Sequence, residues 1–172
     1  LQTQAEATGE ESTAQVSDRL QIVSQSGNVT SNTVDQLNIT VAQSPGASNI
    51  DLNETTVELI GTDGQQTQGL DEDGITIDIF TGSPGDVVLT DSSDRADVGI
   101  TLGSGAGTVN YGVLDGGDSL TLTFTTASGA TTTAELRVPT TLTDEQCSNL
   151  LTIMTIVLRW VSEPSSCSSR WC

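Results

Sequence analysis

Lysine and histidine are absent from this chain, and five arginines stand against 23 acidic residues, for a formal charge of −18. A surface so short of cations repels phosphate, so nucleic acid is excluded as a partner. The missing histidine removes the usual general base and metal ligand, and the missing lysine removes the Schiff-base nucleophile. Carboxylates, hydroxyls and thiols remain. An enzyme built from them, such as a secreted carbohydrate-active one, needs two buried carboxylates about 5 to 10 Å apart across a cleft. The chain has no G-x-S-x-G elbow, phosphate loop, dinucleotide fingerprint or paired CxxC. With no catalytic constellation, the reading is non-enzymatic.

A charge of this size destabilises a compact domain in dilute buffer, whereas in molar salt the Debye length falls to about 3 Å and the repulsion is screened. The acidic residues are dispersed among apolar alternations rather than gathered in a tail. This composition points to a folded protein adapted to strong brine. Cysteine is confined to Cys147, Cys167 and Cys172, so no disulfide can staple the body of the fold.

Residues 1–20 carry a thin stripe at spacings of three and four, formed by Leu1, Ala5, Gly9, Ser12, Val16 and Leu20. Gly9 costs a helix interior about 1 kcal/mol relative to alanine. Such a helix is marginal alone and needs neighbours or a continuation upstream.

From Leu20 the period changes to two. "DQLNITVA" and "ETTVELIG" alternate, with Leu37, Ile39 and Val41 on one face of the first and Val57 and Leu59 on one face of the second. Further strands are predicted at "ITIDIF", "DVVLT", "ADVGITL" and "TVNYGVL". Turn signals at Pro45-Gly46, Asp63-Gly64, Asp73-Gly74, Pro84-Gly85 and Gly116-Gly117 separate them. Short, regularly spaced strands without intervening helices indicate a sandwich or barrel. In "SLTLTFTTASGATTTAELRV", Leu120, Leu122 and Phe124 must share a face with Ala134, Leu136 and Val138. This requires an odd-numbered loop. Ser128-Gly129-Ala130 is the expected loop, which sets Thr121 opposite Arg137 and Thr123 opposite Glu135.

After Pro139 the character shifts. "TDEQ" at residues 143–146 reads as a capping box before "LLTIMTIVLRWV", a run of about a dozen residues that is too short for a bilayer span of about 20. "SEPSSCSSRWC" follows without a folding pattern.

Three N-x-[ST] sequons lie close together, headed by Asn28, Asn38 and Asn53; on a cell-surface protein these are glycan acceptors. Asn38 is opposite in parity to Leu37 and Ile39, on the wet face of its strand. Two acidic clusters, Asp71-Glu72-Asp73-Gly74 and the trio Asp91, Asp94, Asp97, offer hard oxygen ligands to calcium or other cations, although neither has EF-hand spacing. The alternative is an acidic turn solvated by brine cations, with Arg95 pairing a neighbouring aspartate. No other cofactor is indicated.

The opening "LQTQAEATGEESTAQVSDRLQIVSQSGNV" resembles the archaeal flagellins, or archaellins, of halophiles. The resemblance continues in order through "LNETTVELIGTDG", "GDVVLTDSSDRADVGITL" and "SLTLTFTTASGATTTAELRVP", to about residue 145. It implies a structural subunit of the archaellum, the rotating swimming filament. Such a subunit is secreted by a pilin-like route, often N-glycosylated, and assembled with other copies of itself in a helical array on the cell exterior. The fold implied is mainly β: an antiparallel, immunoglobulin-like β-sandwich over 21–142, preceded by an α-helical stalk over 1–20. Leu1, Ala5, Gly9, Val16 and Leu20 form the stalk's assembly stripe. In the family an apolar helix precedes this stretch, so membrane contact is expected only before assembly and through that upstream helix. Residues 143–172 depart from the family pattern and are expected to be frameshifted, fused or vector-derived sequence. The alternative is an adhesion pilin or another halophilic cell-surface β-sandwich binding module.

Overall fold

The computed structural model describes residues 17–81 and 86–142. The described part is mainly β. Its strands are β1 (Leu20–Thr30), β2 (Thr33–Gln43), β3 (Ile50–Asp51), β4 (Thr56–Gly61), β5 (Gly64–Gly69), β6 (Ile75–Thr81), β7 (Val88–Leu89), β8 (Arg95–Gly103), β9 (Val109–Asn110), β10 (Ser119–Thr125) and β11 (Thr131–Arg137). One sheet runs β1-β2-β8-β6, with β9 added in parallel to β8; a second runs β11-β10-β4-β5; β3 and β7 form a small pair. Leu37, Ile39, Val98 and Ile100 of the first sheet and Val57, Leu59, Leu122 and Phe124 of the second join one buried cluster. The period-two alternation read from the sequence is what aims these residues inward. Each large side chain so buried contributes about 1.5–3 kcal/mol.

β1 and β2 form a hairpin in which Thr30 pairs with Thr33 across Ser31 and Asn32, both at positive φ (54° and 68°). Two consecutive left-handed residues make a type I′ turn, whose twist matches that of the strands. This turn carries no glycine, and the sequence signals did not include it. β5 is also absent from the sequence reading: "GQQTQG" has no large apolar residue, and its strand conformation comes from pairing with β4 (Val57 with Gln68, Leu59 with Gln66). The predicted runs 86–90 and 108–114 contribute only the two-residue strands β7 and β9.

The β10–β11 hairpin has the predicted parity and a register two residues different. Leu120 faces Leu136, Thr121 faces Glu135, Leu122 faces Ala134 and Thr123 faces Thr133, so Arg137 lies opposite Ser119 rather than Thr121. The ladder extends by a Thr126 N–H bond to the Ala130 carbonyl, leaving Ala127-Ser128-Gly129 as the loop. Gly129, at φ 81°, takes the last loop position, where a left-handed residue returns the chain to the strand. That requirement moves the loop one residue earlier than the expected one.

Candidate assembly and modification surface

Leu20 is the first residue of β1 and is 2% exposed in the core. It therefore belongs to the β domain and not to the helical stripe assigned from its spacing. The other stripe residues, Leu1, Ala5, Gly9 and Val16, lie outside the described residues, as do the cysteines and the segment from 143 on. Where the chain enters the β domain it is fixed from both sheets. The Asp18 carbonyl accepts from the Thr126 hydroxyl (3.0 Å), the Leu20 carbonyl from the Thr132 hydroxyl (2.7 Å), and the Arg19 carbonyl from Ser44 N–H (3.1 Å). The Asp18 carboxylate accepts from Ser48 N–H at 2.8 Å. Four bonds within three residues make this a stiff junction between the N-terminal segment and the domain. Sequence reasoning gave no sign of it, because all four partners are distant along the chain.

The three sequons have different surroundings. Asn28 is exposed on edge strand β1, and its Thr30 is exposed. Asn38 lies on the wet face of β2, as its parity predicted, but β2 is held between β1 and β8 and the side chain is half-buried. Its Oδ1 lies 3.4 Å from where a Cβ on Gly99 would stand, so its amide rests beside that side-chain-free position. The Thr40 hydroxyl of the same sequon donates to Asp97 Oδ1 at 2.6 Å and accepts from the Ser24 hydroxyl at 2.8 Å. Asn53 is exposed in the turn after β3, yet Thr55 is fully buried and its hydroxyl donates to the Asp51 carbonyl.

The acidic clusters are used locally. Asp94 is 6% exposed, and its Oδ2 accepts from Thr90 N–H (2.9 Å), Asp91 N–H (2.9 Å) and the Thr90 hydroxyl (3.1 Å). The backbone donors of Thr90 and Asp91 hold its pKa below the ordinary carboxylate value against the opposing effect of burial, with smaller help from the Thr90 hydroxyl and Arg95. Asp91 Oδ1 accepts from the N–H and hydroxyl of Ser93. The Arg95 guanidinium donates to the carbonyls of Ser92 and Asp94. These bonds shape the β7–β8 loop. Asp71 and Asp73 are exposed in the β5–β6 turn, where the Asp71 carboxylate lies over Gly69 and the Asp73 carbonyl accepts from the Gln68 amide. Among the described residues, no three carboxylates or thiols converge on a point that would hold an ion.

Tyr111 is the chain's only tyrosine and is 4% exposed; its hydroxyl has no hydrogen-bond partner. Burial, and then the charges of Asp63 and Asp118, push its pKa up; the nearby Asp63 backbone opposes them without reaching hydrogen-bond geometry.

An open apolar groove of about 310 Å³ lies between β1 and the end of β11. It is lined by Gly27, Val29, Leu37, Leu136 and Val138, with Arg137 at its rim. On the far edge of the first sheet, Phe80 is 58% exposed. The described residues thus define an acidic β domain: two sheets around one aliphatic core, a hydrogen-bonded entry point for the N-terminal segment, and acidic polar faces.

The archaeal-type flagellin family model matches residues 1–145. Flagellin B1 of Natrialba magadii is 43% identical over 155 residues, covering 85% of this chain and 77% of the relative. Flagellin B1 of Halobacterium salinarum is 41% identical over 157 residues, covering 87% and 78%. Among solved structures, the fold is similar to that of archaeal flagellin FlaB1 from Methanocaldococcus jannaschii (TM-score 0.60, 16% identity, 72% of this chain and 91% of that one). It is also similar to the archaeal flagellum of Methanospirillum hungatei strain JF1 (TM-score 0.60, 16% identity, 82% and 77%). The chain belongs to the archaeal-type flagellins. It is a structural subunit of the archaeal flagellar filament, assembled with other flagellin subunits outside the cell to serve motility, and it is not an enzyme.

Proposed function

We propose that residues 17–142 form an antiparallel, immunoglobulin-like β-sandwich displayed on the outside of the filament, and that the segment ending at Val16 runs inward as a helical stalk to the filament core. The observation that carries this reading is the junction at Asp18–Leu20, where both sheets grip the chain through backbone carbonyls and a buried leucine. A stalk transmitting torque to an outer domain needs such a rigid coupling. The two sheets contributing to one core, with hairpin connections at β1–β2, β4–β5 and β10–β11, support the sandwich.

The filament works in brine, and its acidic, lysine-free surface is the adaptation to it. Glycans are carried first at Asn28, whose amide and threonine are both exposed on an edge strand. Asn38 and Asn53 accept a glycan only before the domain closes, because the hydroxyls of Thr40 and Thr55 are committed to Asp97 and Asp51. The family match favours the flagellin over the adhesion pilin. A strain lacking the gene tests this choice: loss of swimming fits the flagellin, and swimming cells that fail to attach fit the adhesin.

A further inference from the structure

We infer that outer domains of neighbouring subunits interlock through a knob and a hole, with Phe80 of one copy seated in the groove between β1 and β11 of the next. The inference rests on the filament reading above and adds to it a second, lateral contact made outside the core.

Three observations carry it. Phe80 is 58% exposed, the most exposed of the large apolar side chains Val23, Ile60, Phe80 and Val113. An aromatic ring on a solvated edge strand of a charged domain has no role in that domain's own core. The groove offers what such a ring requires: an apolar lining from Val29, Leu37, Leu136 and Val138, and about 310 Å³ of space. Its depth depends on Gly27, where a Cβ would stand 2.8 Å from Val34 Cγ1, so β1 passes over the core with no side chain filling the hollow.

The second copy is identified as the occupant by placement and charge. Knob and hole sit at opposite edges of one sheet, in the order β1-β2-β8-β6, and at different levels along it: the registers set Phe80 level with Gln21 and Ile22 of β1, whereas the groove lies at Gly27 and Val29. Two complementary patches on opposite sides of a subunit make a heterologous contact, which propagates along an array instead of closing a dimer. Asp78 is exposed two residues before Phe80 on β6, and exposed Arg137 stands at the groove rim. Docking the ring brings an anion beside one of the chain's five cations. A generic protein ligand for this groove would have no reason to match the acidic edge of the same chain.

The test is a photo-crosslink in filaments sheared from cells that make the protein, with benzoylphenylalanine replacing Phe80. The expected product has twice the subunit mass, and its crosslinked peptide joins position 80 to residues 25–29 or 136–139 of a second copy. Phe80→Ala, which removes an exposed side chain and leaves the core intact, should weaken filament cohesion by about tenfold on dilution. Filaments that form normally but crosslink position 80 to another surface, within one subunit, or not at all overturn the knob-and-hole contact while leaving the filament role standing. A chain that never enters filaments overturns both.

Discussion

Asp78 on β6 faces Asp97 on β8 directly across the strand pair, and Asp97 in turn accepts the Thr40 hydroxyl from β2 at 2.6 Å. Two carboxylates in register on a wet sheet face repel, by about 0.2–1 kcal/mol in ordinary buffer. In molar salt, where the Debye length is about 3 Å, most of that cost disappears. Asp78→Asn is therefore expected to stabilise the domain by about 0.5 kcal/mol at low salt and by a negligible amount at molar salt. Urea unfolding midpoints at the two salt concentrations check this. A gain that does not depend on salt contradicts it.

Asp94 gives the opposite sign. Its folded pKa is depressed, so its contribution is complete above the unfolded carboxylate value and is lost as pH falls through the lower folded value. Asp94→Ala leaves the N–H groups of Thr90 and Asp91 without their acceptor and should cost about 1–3 kcal/mol near neutral pH. The difference from wild type should narrow below about pH 4, as the wild-type carboxylate protonates. Denaturation curves across pH 2–7, about the range spanning the carboxylate pKa values, measure both effects.

Tyr111 carries a buried hydroxyl with no partner. Tyr111→Phe keeps the ring and removes the unsatisfied group, so it should be neutral or raise stability by up to about 1 kcal/mol. A loss exceeding this gain would show that the hydroxyl is satisfied in solution, for example through water. Thermal unfolding of the two proteins decides.

The sequons make a ranked prediction. Glycopeptide mass spectrometry of native filaments should find Asn28 modified at higher occupancy than Asn53, whose Thr55 is fully buried. Asn28→Gln should remove most of the attached mass. Equal occupancy at Asn53 would place modification before folding.

Much of this fold was legible because it depends on side-chain period. The alternation of Leu37, Ile39 and Val41, and of Leu120, Leu122 and Phe124, set which faces are buried. What the sequence did not reveal depends on distant partners. β5 has no apolar pattern and is a strand because β4 offers it a ladder. The Ser31-Asn32 turn lacks glycine, and its positive φ values are held by the flanking strands. Leu20 satisfies a spacing of four from Val16 and also begins a period of two, so local pattern could not assign it; burial against both sheets does. The groove between β1 and β11 joins residues more than 100 positions apart and has no local signature.

The central claim is that the domain beginning at Ser17 folds by itself and that assembly requires the segment before it. The direct measurement is electron microscopy of cells whose only copy of this subunit lacks residues 1–16, together with circular dichroism of the same purified chain. The account predicts a folded β protein and no filaments. Filaments of normal diameter built from the shortened subunit would contradict it.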